Sequence, residues 1–349
     1  MKFFTALWWK SRSVRSIALI VTLVASLAGC ADPPSPPLAL AFTETLDPLD
    51  RLAELAKPIR PLRMPEGLDE AKVQFGKRLF RHRSLSHDNS LSCASCHDVQ
   101  KGGDDGRPLS PGVDGQVGAM NSSTVLNSVY HFRYFWDGRA ATLKEQVAGP
   151  VHHPKEMASD WQEVVCKLNE DAEVVRLFGE IFKRRIDPEG ISEAIAEYEK
   201  ALVTVDSPFD RYLRGEADAL SKSALRGYLL FEEMGCISCH QGDNLGANAY
   251  QQFGVLGDYF ADRGNITEAD WGRYNVTGRE RDKFYFKIPS LRNIALTAPY
   301  FHDGQAEDLT AAIRVMAEYQ LGLQLSQEQT TDLIEFLHSL TGSVREDLR

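Results

Sequence analysis

Two pentapeptides in this 349-residue chain share one pattern: Cys93-Ala94-Ser95-Cys96-His97 and Cys236-Ile237-Ser238-Cys239-His240. Two thiols spaced C-x-x-C can add across the two vinyl groups of one porphyrin. The histidine that follows then points its imidazole at the iron, which makes this the c-type haem attachment signature. A zinc site, a redox pair or a disulfide uses the same spacing. Zinc would need further Cys/His pairs, and no other cysteine pair exists in the sequence. Two copies in one chain point to two covalent c-type haems. The six cysteines then divide into four thioethers, Cys30 and Cys166. Cys166 sits in an apolar pattern with Trp161, Val165, Leu168 and Val175, and is expected to be a core thiol rather than a reactive one.

What lies on the second face of each haem decides between electron carrier and catalyst. Met316 lies fourteen residues past His302, on a helical pattern with Leu309 and Ile313. It reads either as a sixth ligand or as a core methionine. An internal duplication supplies a contrast. Gly76-Lys77-Arg78-Leu79-Phe80 aligns with Gly227-Tyr228-Leu229-Leu230-Phe231, and Thr124-Val125-Leu126-Asn127 with Ser290-Leu291-Arg292-Asn293. Trp136-Asp137-Gly138-Arg139-Ala140 aligns with His302-Asp303-Gly304-Gln305-Ala306. Fourteen residues past Trp136 is Pro150, which has no side-chain donor. If the halves fold alike, one haem is capped by sulfur and the other keeps an open face, a relay feeding a catalytic centre. Gln146 and Glu156 flank Pro150. A carboxylate over bound peroxide can take the proton from the inner oxygen and return it to the outer one. Glu156 also reads as a solvated charge. His152 and His153 read as surface residues, as pocket acid–base groups or as a sixth ligand.

The elements that must position these groups are mostly helical. Residues 69–81, 190–204, 221–233, 308–320 and 328–340 carry helical apolar spacing. Ser159-Asp160-Trp161-Gln162 reads as a capping box opening a helix to about Phe182, and Ser326-Gln327-Glu328-Gln329 as another. Phe284-Tyr285-Phe286 is the best strand signal. The expected fold class is mainly α, two tandem cytochrome c-like haem domains at 67–205 and 206–349. From haem His to Trp136 is 39 residues, and from haem His to His302 is 62. The second half therefore carries about 23 extra residues within 241–287, either a loop at the domain interface or simple packing.

Residues 1–29 read as an export signal: Lys2, Lys10, Arg12 and Arg15, then an apolar run over 17–28 too short for a membrane span of about 20 residues. Leu27-Ala28-Gly29-Cys30 resembles a bacterial lipobox, so Cys30 is expected to carry lipid and anchor the protein to a membrane, the outer one favoured by Ala31. The alternative is plain secretion with Cys30 a chance residue. Residues 30–66 form a Pro-rich tether, with eight of the sixteen prolines in 31–66, and 46–57 reads as a short helix. The formal charge is −10, and −14 without the four cations of residues 1–29. Such a surface disfavours nucleic acid and suits a basic protein partner.

From about Gly67 to Gly342 the chain resembles the bacterial diheme cytochrome c peroxidases and the wider superfamily they share with MauG-type enzymes. The resemblance rests on Phe135-Trp136-Asp137-Gly138-Arg139-Ala140, Gly149-Pro150-Val151 through Glu156-Met157, Pro289-Ser290-Leu291-Arg292-Asn293, and Ala298-Pro299-Tyr300-Phe301-His302-Asp303-Gly304. It implies that Met316 is the axial ligand of the electron-transfer haem and that Trp136 lies between the haems. It implies too that Glu156 and Gln146 line the distal pocket of the peroxidatic haem. Asn121, Thr297 and Pro299 match an inter-haem calcium site, where one side-chain oxygen and two carbonyls suit a hard cation. The implied activity is periplasmic reduction of hydrogen peroxide to water, fed by a small cytochrome c or cupredoxin. Related enzymes are often dimers, so a homodimer is one expectation. Two departures stand out. Many members carry a capping His in the loop after the first motif, whereas residues 101–120 hold none, and the residue sixteen past His97 is Val113. An open resting haem follows, unless Met120 substitutes. MauG-type enzymes share that openness but typically have Tyr where this chain has Met316. A MauG-type oxidase of a partner protein and a non-catalytic diheme carrier therefore remain as alternatives.

Overall fold

The computed structural model describes residues 57–349. The expectations for the export signal, Cys30 and the helix at 46–57 lie outside the described residues. The fold is mainly α-helical.

Each half is built on one crossed helix pair. In the first, Glu70–Phe80 is opened by Asp69, whose side chain accepts from Lys72 N, and it buries Val73, Phe75, Gly76, Leu79 and Phe80. It packs on Pro188–Ala201, which starts on an Asp187 cap with Pro at its first position, where a missing N–H costs nothing. In the second, Lys222–Glu233 is capped by Ser221 and Gln327–His338 by the Ser326/Gln329 box. The glycine each motif carries is required by the crossing. A Cβ at Gly76 would fall 1.9 Å from the Ala194 carbonyl oxygen and 2.8 Å from Tyr198 Cβ. A Cβ at Gly227 would fall 1.9 Å from the Asp332 carbonyl oxygen and 2.9 Å from Phe336 Cβ. The two pairs thus share one register, with Ala194 matching Asp332 and Tyr198 matching Phe336.

The duplication extends into the loops. Asn127 and Asn293 are both left-handed, at φ 61° and 60°. Tyr134 bridges Ala140 as Tyr300 bridges Ala306. Thr204 ties the copies together: its N–H donates to Asn127 Oδ1 at 2.8 Å, its Oγ1 accepts from Asn127 Nδ2 at 2.8 Å, and that hydroxyl donates to Asn293 Oδ1 at 2.9 Å. One apolar core runs from Val73 to Leu202 and is completed by Val344 and Leu348; the other joins Ile59 to residues 209–340.

Four expectations change. The helix expected from Ser159 to about Phe182 is two, Trp161–Leu168 and Ala172–Phe182. The carboxylates Asp160 and Asp171 cap them, while Ser159 Oγ donates to Glu163. Cys166 is exposed, not a core thiol. The buried face of that helix is Val164 and Leu168, and a residue two places from each points outward. The helix expected over 308–320 is α-helical over Leu309–Val315 and π-helical over Met316–Gln320. The described end of the expected tether, residues 57–66, is docked on the fold: Ile59 is buried, Arg60 makes a two-pronged contact with Asp243, and Leu62 N donates to Asp210. The strand is Tyr285–Lys287, paired antiparallel with Tyr250–Gln252.

Candidate haem sites

The two attachment motifs sit alike. Phe80 lies 6.4 Å from the His97 ring and Phe231 6.4 Å from the His240 ring, centroid to centroid. His97 Nδ1 donates to Gly103 O at 3.0 Å and His240 Nδ1 to Leu245 O at 3.1 Å. A proton held on Nδ1 by a carbonyl leaves the Nε2 lone pair for a metal. Burial pushes both imidazoles below their ordinary value, His240 to about 4, so each is neutral at pH 7. Burial pushes the Cys96 and Cys236 thiols up to about 11 and raises Cys93 further.

A cavity of about 410 Å³ in the second half is walled by Cys236, Cys239, His240 and Met316. At its polar end Lys287 is 5% exposed and has no carboxylate partner among the described residues; its Nζ lies 3.4 Å from His131 Nδ1, and His131 Nε2 has no partner among them either. An ammonium and an imidazole at one end of an apolar cavity match a flat apolar macrocycle carrying two carboxylates. The residues present therefore fit a porphyrin. Met316 opens the π-helical turn, a device common at functional sites. That turn is clamped by Gln320, whose Oε1 accepts from Gly254 N and Val255 N while Nε2 donates to Gln252 O.

Trp136 stands at the meeting of the halves. Its Nε1 donates to Asn121 O at 2.9 Å, its carbonyl accepts from Lys287 N at 2.8 Å, and its ring meets His302 edge-on at 6.4 Å. Asn121, Thr297 and Pro299 all line this cavity. Asn121 spends its amide NH₂ on Arg107 O at 2.8 Å, so its oxygen is the atom left for a cation.

In the first half, Gln146 is half-buried one turn before Pro150 on the helix Leu143–His152. Met157 N donates to Pro150 O, folding Glu156 back over the end of that helix. Burial is the main influence on Glu156 and raises its pKa, against the pull of His153 and Arg139. His153 Nδ1 lies 3.5 Å from Glu156 Oε1, whereas His152 is exposed and packs edge-on against Trp161 at 5.4 Å. Val113 is 2% exposed, and its N–H donates to Glu156 O at 2.9 Å. The loop position without a histidine is thus held directly beside Glu156.

The extra residues of the second half lie at the junction. Arg273 donates to Asp137 O and Gly138 O, and Asp270, 1% exposed, accepts from His302 Nε2 at 2.7 Å. Arg263 grips Asp270 with both nitrogens and also Asp303. Sequence reading did not find Asp270, Arg263, Lys287 or His131. The sole signal was that His302 occupies the place of Trp136 in the duplication.

Residues 70–218 match the family model described as di-haem cytochrome c peroxidase, and residues 224–341 match that of cytochrome c. The chain is 47% identical over 275 residues to cytochrome c peroxidase Ccp of Escherichia coli, covering 78% of this chain but only 59% of that protein. It is 41% identical over 282 residues to cytochrome c551 peroxidase of Nitrosomonas europaea, covering 80% and 81%. A MauG-like protein associated with microbial copper homeostasis superposes with a TM-score of 0.72 at 29% identity, over 82% of this chain and 94% of that one.

Proposed function

This chain belongs to the di-haem cytochrome c peroxidase family, and we propose that it reduces hydrogen peroxide to two waters with electrons from a small cytochrome c or cupredoxin. The observation that carries this reading is the asymmetry between the halves: Met316 faces the cavity that holds His240, while the matching position in the first half is Pro150, flanked by a half-buried carboxyl. When bound, through thioethers to Cys93, Cys96, Cys236 and Cys239, the haems supply electron storage on one side and a peroxide-binding iron on the other.

The chain's own residues do the rest. His97 and His240 each present a neutral Nε2 to iron, and Met316 presents a thioether, which raises the potential of its site. Trp136 fills the junction as an aromatic stepping point for electrons. Glu156, its pKa raised by burial, takes the proton from the inner peroxide oxygen and returns it to the outer, making water the leaving group. Gln146 orients peroxide. Asn121, Thr297 and Pro299 hold one calcium ion that stiffens the junction. The halves divide near residue 206. Cleavage before Cys30 and acylation there tether the protein to a membrane facing the periplasm, the outer membrane favoured. The acidic chain suits a basic donor, and two copies form a homodimer.

Val113 in place of a capping histidine makes the first site ready without prior reduction. The same observation favours a second reading, a MauG-type oxidase that modifies a partner protein; Met316 opposes it. Stopped-flow turnover separates them. Immediate donor oxidation from both the fully oxidised and the one-electron-reduced enzyme supports the open peroxidase. A lag confined to the oxidised enzyme means that another residue caps the site. Rapid loss of peroxide without donor oxidation favours protein modification.

A further inference from the structure

Glu199 is a buried acid that the catalytic scheme does not use. It is 4% exposed, and its Oε2 has no hydrogen-bond partner among the described residues. Its place follows from the duplication. The paired helices share a register in which Ala194 matches Asp332 and Tyr198 matches Phe336, so Glu199 matches Leu337. Leu337 lines the cavity of the second haem site beside Cys236 and His240. A carboxyl therefore stands in the wall of the first haem site where the second has a hydrocarbon.

The groups that face Glu199 agree with this placement. They are the Cys93 thiol from the first attachment motif, the Tyr134 phenol from the loop before Trp136, and the Tyr198 phenol of its own helix. None is a cation, and among the described residues no ion pair reaches it. Among the described residues no cation holds its charge. Burial alone pushes its pKa up to about 8.

We propose that Glu199 is the proton partner of the first haem. Its carboxylate takes one proton from solvent when that site gains one electron from the donor protein, and releases the proton when the electron leaves. The step balances, since one electron and one proton enter together and the charge of the buried site is unchanged. The physical reason is electrostatic. A haem bound at His97 would bring the positive charge of its oxidised iron to this half, and adding an electron would remove much of what stabilises the carboxylate. Hydrocarbon at Leu337 gives the second site no such partner. Proton uptake thus accompanies reduction at the half of the molecule where peroxide will need protons. This inference rests on the diheme reading.

The test is a spectroelectrochemical titration of the full chain with both haems attached, over about two pH units either side of pH 8. In the wild type the midpoint potential of the first haem falls as pH rises. One-for-one coupling gives a tenfold change in the oxidation equilibrium per pH unit, about 59 mV for one electron. Glu199→Gln keeps size and hydrogen-bonding capacity. It should flatten that slope to less than about a third of the 59 mV and leave the second haem's pH dependence unchanged. Equal slopes in both proteins would overturn the proposal. Redox-induced infrared difference spectra of the wild type with isotopically labelled glutamate need no variant: a protonated-carboxyl stretch gained on reducing the first haem supports it, and its absence overturns it. A chain with no haem at Cys93–His97 would sink the diheme reading as well. A two-haem protein with a pH-independent first potential would sink this inference alone.

Discussion

Replacing Glu156 by Gln tests the proposed chemistry at its centre. The change keeps the side chain's length and volume, so the Val113 N–H to Glu156 O bond at 2.9 Å and the Met157 N–H to Pro150 O bond are untouched. What disappears is the carboxylate that accepts a proton and hands it back. Loss of general acid–base catalysis costs typically 10²–10⁴ in rate. The structure places this case in the lower half of that range. His153 Nδ1 lies only 3.5 Å from Glu156 Oε1, near enough to stand in partly as proton acceptor once the carboxylate is gone. A loss of about 10²–10³ in kcat/KM for peroxide is expected, about 3–4 kcal/mol of barrier. The sign with pH also follows. The carboxylate must be ionised to accept the proton, and burial raises its pKa. Wild-type activity should therefore rise with pH through a titration above the ordinary carboxylate range, and the Gln variant should lose that limb. The assay is steady-state peroxide turnover with a reduced cytochrome c donor, with haem content matched by absorbance. A loss below about fivefold, far under the range for such groups, would refute the assignment, as would a His153→Ala variant that loses more than Glu156→Gln.

Three further outcomes are expected. Thr204→Val removes a hydroxyl that serves both Asn127 and Asn293 in a fully buried site. It strands one amide donor, and chemical denaturation of the loaded protein should show a loss of about 2–3 kcal/mol. Asp104, 3% exposed with one unpartnered oxygen, is raised to about 6 by burial. A carboxyl raised in the fold contributes stability that is present below its unfolded pKa and lost as pH rises through about 6. Melting temperature should fall across that window in the wild type and much less in Asp104→Asn. Met316→Ala should abolish the near-infrared sulfur-to-iron charge-transfer band and convert one haem to high spin in visible spectra, leaving the other unchanged.

The chemistry was legible wherever covalent geometry fixes local spacing. Cys-x-x-C-His declares itself twice, and Gly76 and Gly227 mark the helix crossings because any side chain there would strike a carbonyl. The helices were legible from periodicity, and Ser326 with Gln329 announced its own start. What escaped is long-range. Asp270 reaches His302 across 32 residues, Thr204 reaches Asn127 across 77, and Lys287 is buried against a cavity that apolar patterning does not describe. Cys166 was misread because one long amphipathic helix was assumed. The Asp171 cap restarts the helix, and the apolar face is set by Val164 and Leu168. No residue near Glu199 hints at its isolation; that emerges only when the copies are superposed on their glycines.

The first core closes with residues from the far end of the sequence. Val344 and Leu348 pack into it, and Tyr198 Oη donates to Leu348 O at 2.8 Å. In a chain made from its N-terminus at about 5–20 residues per second, roughly 250 residues must follow His97 before that core can be completed, a delay of about 13–50 s. Through that interval Cys93 and Cys96 belong to a domain whose core is still incomplete. The second motif waits less than half as long. The order of synthesis, rather than any difference between the two pentapeptides, thus leaves the first motif the longer period before its core can close.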